Sequence, residues 1–108
     1  NTASETAGIA TRPTSEEIDS FDNIPNDDVK ARLDSFFSRV QNDPSAQGYI
    51  INYGTPREIT RREKVIRDYI RFRSQDASRY VFVNGGDQGS GIRTRLFIVP
   101  SGADAPTP

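Results

Sequence analysis

At 108 residues, with 33% apolar content and a mean hydropathy of −0.68, the chain has the size of one domain with polar ends. It holds neither cysteine nor histidine, which excludes disulfides, thiolate metal sites, cysteine nucleophiles and a lipidated N-terminal Cys. The missing imidazole also removes the usual metal ligand and the usual general base near neutral pH, so no enzyme, metal or cofactor is expected.

The net charge of −1 hides an asymmetry. Residues 1–56 carry four basic side chains against nine acids, or −5, and residues 57–95 carry ten against five, or +5. Two solvated faces of opposite sign would explain this. A dipole that stacks copies head to tail, or steers an anionic partner, is the sharper alternative. No apolar run approaches the roughly 18 residues that a membrane span needs.

Residues 1–20 form an N-terminal arm rich in Thr, Ser, Ala and Glu, with Pro13 as a breaker, and alone should be extended and flexible. The small-residue start Asn1–Gly8 suits a processed product, and equally a chain cut at a domain edge. Such an arm orders only when something holds it. Ile9, Arg12 and Ile18 are therefore candidates for packing on a neighbouring subunit, as a strand added to an open sheet edge.

Ser20–Ile24 reads as a short strand closed by Pro25. Asn26 is then expected to cap a helix, with Asp27 and Asp28 favouring its positive end. Val29, Leu33, Phe36, Phe37 and Val40 fall on one helical stripe, which Asn42-Asp43-Pro44 ends. Gly48–Gly54 is aromatic and β-branched, the composition of a strand. A second helix runs from about Arg57 or Thr60 to Phe72, burying Val65, Ile66, Tyr69 and Ile70. Arg79–Val83 is the third strand, 84–91 a loop or hairpin, and Ile92–Val99 the fourth strand. The tail, 103–108, is expected to be flexible because Pro106 and Pro108 block regular structure. The order βαβαββ implies an α/β two-layer sandwich, a mixed sheet with two helices on one face.

Two motif-like features carry little chemistry. Asn84–Gly91 is glycine-rich like a phosphate loop, but lacks the lysine and leads into a strand. The arginines of the second helix alternate with acids at i,i+4, as in Glu63–Arg67 and Lys64–Asp68, which fits a solvated face and not a nucleic-acid surface.

The ordered residues resemble one family, the OmpA C-terminal-like domains of bacterial envelopes. Phe21-Asp22 sits in the opening strand, Leu33-Asp34 in the first helix, and Tyr53-Gly54 at the end of the second strand. Arg62 and Tyr69-Ile70 fall at the family's spacing in the second helix. Asp76–Arg79 leads into the third strand, and Arg93 and Arg95 stand near the last. The resemblance spans residues 21–102 and implies periplasmic or surface location in a Gram-negative bacterium.

The resemblance also implies peptidoglycan as ligand, its diaminopimelate group held by an Asp in the loop after the second strand and by the helix arginine. A carboxylate would meet the ammonium, and a guanidinium would fork onto the carboxylate. Here Gly54-Thr-Pro-Arg-Glu58 joins strand to helix directly, with Glu58 as its sole acid. Arg62, Arg57 and Glu58 are thus a degenerate anion site. The expectation is a non-enzymatic envelope or extracellular structural module that has lost standard peptidoglycan binding. One alternative is an assembly subunit held through its arm by a protein partner or by self-association; another is a peptidoglycan-binding domain that uses Arg62.

Overall fold

The structure, a computed structural model, describes residues 12–108. Its elements are β1 (Glu16–Phe21), α1 (Asn26–Asn42), β2 (Gln47–Tyr53), α2 (Pro56–Phe72), a 3-10 turn (Ala77–Arg79), β3 (Tyr80–Gly86) and β4 (Arg93–Val99). The sheet order is β1-β4-β2-β3, with β4 antiparallel to both of its neighbours and β2 parallel to β3. This is the expected two-layer α/β sandwich. Both helices lie on one face, α1 over β1, β4 and β2, and α2 over β2 and β3.

Alternation puts Ile50, Tyr80, Leu96 and Ile98 on the helix side, where they meet the α1 stripe of Val29, Leu33, Phe36, Phe37 and Val40. From α2 come Ile66, Tyr69 and Ile70. Gly48 is required at this interface, because a Cβ there would stand 2.7 Å from Phe36 and 2.9 Å from Tyr80. The two helices are also tied directly. The Tyr69 hydroxyl donates to Asp34 at 2.8 Å, and Arg73 reaches both oxygens of the same carboxylate at 3.1 Å.

Four expectations need correction. The segment between β3 and β4 is not a hairpin, because β2 lies between these strands. β4 ends in Leu96-Phe97-Ile98-Val99, all buried, and a strand buried on both faces belongs inside the sheet. The first strand spans Glu16–Phe21, not 20–24, so Ile18 belongs to the chain's own sheet and packs against its core. Its acids had hidden it. Glu17 pairs with Arg95 at 2.9 Å, Asp19 with Arg32 at 2.7 Å, and Glu16 with Arg39 at 3.1 Å. Finally, Asn26 is the first helical residue and not a cap, since Pro25 occupies that position without a side-chain bond.

The far face of the sheet has its own cluster, Ile51, Tyr53, Phe97 and Val99. A turn closed by Ala103 N–H on the Pro100 carbonyl at 3.0 Å, with Gly102 at φ +86°, folds the tail back so that Ala103 packs on this cluster. Arg12 lies near Asp104 at 3.8 Å, both side chains well exposed, whereas Ile9 falls outside the described residues.

Arg79 closes the end of α1. One of its terminal nitrogens donates to the carbonyls of Val40, Asp43 and Ala46 at 2.7 to 2.9 Å, which satisfies a helix C-terminus with a cation. Arg79→Ala should lower unfolding free energy by about 2–4 kcal/mol in urea titrations, with Arg79→Lys recovering less than half. A loss under about 0.5 kcal/mol would show the cap to be dispensable.

Burial pushes the Tyr80 phenol up to about 12, from an ordinary 10.0. A raised folded-state value means stability present below pH 10 and lost as pH climbs toward 12. Thermal melts across that window should fall more steeply for the native chain than for Tyr80→Phe; parallel curves would assign the decline to other groups.

Candidate functional site

The β2–α2 junction is short because it is tightly built. Thr55 accepts from Glu58 N–H at 3.2 Å, while Glu58 accepts from Thr55 N–H at 2.9 Å, and Pro56 opens the helix. This reciprocal cap satisfies two otherwise orphaned donors. The sole acid of the connector is therefore engaged in starting its own helix. Gly54, at φ +144°, makes the turn into it, where a Cβ would meet Glu58 at 2.9 Å.

Arg62 lies two turns into α2 and is 6% exposed. One terminal nitrogen donates to Thr94 Oγ1 at 2.8 Å, and the other to the Asp22 carbonyl at 2.9 Å. Its guanidinium carbon stands 5.3 Å from the centroid of the Phe21 ring. Thr94 passes the chain on, donating to Asn52 Oδ1 at 2.6 Å; Asn52 Nδ2 finds no partner among the described residues. Burial pushes the Arg62 pKa down, and the Asp22 carboxylate partly offsets this. The guanidinium thus faces inward, tying α2 to β4 and to the exit of β1.

The remaining opening is a cleft of about 130 Å³, walled among others by Asn23, Asn26, Glu58, Arg61 and Arg62. Ligand pockets usually measure about 300–1,000 Å³, so this cleft by itself is small; it shares Asn26 and Val65 with a neighbouring, more open depression of about 440 Å³. The structure brings Arg62 and Glu58 together in the cleft. Arg57 is exposed on the first turn of α2 and does not line the cleft. Arg61 and Asn23, which do, were missed. Arg61 follows Glu58 by three on one helix, a spacing that signals a shared face; Asn23 comes from a loop and left no sequence signal.

Outward, α2 is laced by ion pairs: Lys64–Asp68 at 2.8 Å, Arg67–Glu63 at 2.9 Å, and Arg71 with Asp68. Among the described residues no helix is long and apolar enough to cross a membrane. No family model, curated protein or solved structure matches the chain.

Truncating a buried, hydrogen-bonded guanidinium strands its partners. Arg62→Ala should cost about 2–4 kcal/mol of stability, and Arg62→Lys most of that, because one ammonium cannot span both acceptors. A chemical-denaturation midpoint unchanged in Arg62→Ala would mean that the side chain is not a structural tie.

Proposed function

We propose that this chain is a non-enzymatic, OmpA-like module of the bacterial envelope or extracellular space, in which the ligand arginine has become an internal tie. One observation carries this reading. The two terminal nitrogens of Arg62 bond to Thr94 and the Asp22 carbonyl, and Glu58, the sole acid of the β2–α2 connector, caps α2. A clamp for a zwitterionic group needs an outward cation and an outward anion about one ligand apart. Neither half has that form here, and the cleft between them is small.

The motif residues from Phe21-Asp22 to Arg93 and Arg95 support the family reading, which carries the envelope location with it. Lacking histidine and cysteine, the chain is without the commonest general base and the thiol nucleophile, which supports a scaffold role. The arm-held assembly reading loses Ile18, now in β1, and rests on residues before Glu16.

Co-sedimentation with purified peptidoglycan tests the proposal. The native chain and an Arg61→Ala variant, whose exposed side chain should leave the fold intact, are expected to stay in the supernatant alike. Native protein pelleting with peptidoglycan, and the Arg61 variant released, would restore the cleft as a ligand site and sink this reading.

A further inference from the structure

The two edges of the sheet are built differently. β1 carries Glu16, Glu17 and Asp19, and its register breaks between Glu17 and Asp19. Charges and a bulge are the usual devices that keep an edge from pairing with foreign strands. β3 has neither charge nor proline in Tyr80-Val-Phe-Val-Asn-Gly-Gly86. Among the described residues it pairs with β2 alone, and its register shifts only at the end, between Asn52 and Tyr53 of β2. Val81, Phe82 and Val83 are half-buried, so the strand presents both apolar side chains and an outer row of backbone groups.

From this asymmetry we infer that β3 is a docking edge, which takes an extended acidic segment of a partner protein as an added strand. The sign comes from α2, which lies over β2 and β3. That helix holds six basic residues against three acids, a net positive charge that persists although Arg62 is buried and Lys64, Arg67 and Arg71 pair with Asp68 and Glu63; Arg67 also lies over Phe82 of β3 itself, 4.0 Å from the ring centroid. An incoming strand with acids on its helix-facing side would meet this positive field, with main-chain bonds giving affinity and alternate side chains giving selectivity. Pairing of β3 with β3 of a second copy would instead set two such helices side by side, with like charges opposed. The N-terminal stretch of a second copy offers little complement, since Glu5 is the one acid in residues 1–11. This edge is separate from the Arg62 cleft and does not depend on its reading.

The test uses the full chain and two synthetic peptides of about eight residues, one alternating Val with Glu and one alternating Val with Lys. Amide exchange followed by NMR should slow at least about tenfold in Val81–Asn84 on adding the Val-Glu peptide. Its affinity should exceed that of the Val-Lys peptide by about tenfold or more, and N-methylation of alternate amides should abolish binding. Arg67→Glu, a change at an exposed position, should narrow or reverse the preference. The inference is overturned by equal binding of both peptides, by undiminished binding of the N-methylated one, by protection on β1, or by no binding at about 1 mM. It is likewise overturned if β3 amides become protected without peptide as protein concentration rises, which would make a second copy the occupant.

Discussion

A guanidinium that is 6% exposed must find its hydrogen bonds inside the protein, and for Arg62 that requirement organises one end of the fold. The side chain leaves α2, passes Phe21, and bonds to the Asp22 carbonyl and the Thr94 hydroxyl. Three elements distant in sequence are thereby fixed relative to one another: the exit of β1, the first half of β4 and the second turn of α2. Removing one partner of a buried charge costs more than the bond was worth, because the other is left desolvated. The same constraint bears on function. A side chain already coordinated on two nitrogens has little freedom to turn toward a ligand.

Arginine plays this connecting part elsewhere. Arg79 gathers three carbonyls at the end of α1, Arg73 joins α2 to Asp34 of α1, and Arg95 links β4 to Glu17 while also donating to Tyr53 at 3.1 Å. The bond to Arg95 lowers the Glu17 pKa, so this carboxylate favours the folded state above its unfolded pKa, an advantage lost on acidification. Exposed pairs such as Arg39–Glu16 are each worth little, about 0–1 kcal/mol. Two of the five excess charges on each side are thus spent within the fold, since Asp34–Arg73 and Glu17–Arg95 each join an acid of the first half to a base of the second. The unspent excess lies along α2.

The helices were legible because periodicity is a strong signal over many residues: all five stripe positions of α1 are buried, as are Ile66, Tyr69 and Ile70 of α2, although Val65 is only half-buried. Strands β2 and β4 were found within a residue of their bounds from their apolar runs. β1 was misplaced because an edge strand made of Glu, Asp and Ser reads as polar loop until its cross-sheet partners are known. The insertion of β4 between β1 and β2 was invisible for a related reason. Local pattern gives the elements and their faces, but which strands become neighbours is a long-range outcome of burial. The same holds for the site, where Arg62 and Glu58 were named from spacing, yet their inward partners, Thr94 and the Asp22 carbonyl, lie 32 and 40 residues from Arg62.

The residues that carry the OmpA-like resemblance prove to have internal work in this fold. Phe21 lies in the core beneath Arg62; Asp34 receives Tyr69 and Arg73; Asp76 accepts from Ser78 N–H at 3.0 Å ahead of Arg79; Arg95 holds Glu17. Any sequence that adopts this architecture by these ties would need them, whatever it binds. Side chains occupied in this way report on the chain's own architecture and not on a ligand, because function resides in sites grafted onto a fold. The positions free of internal duty are a better guide to what this chain does. Among the described residues they are Arg57 and Arg61, exposed on α2 outside its ion pairs, and the uncharged edge strand β3.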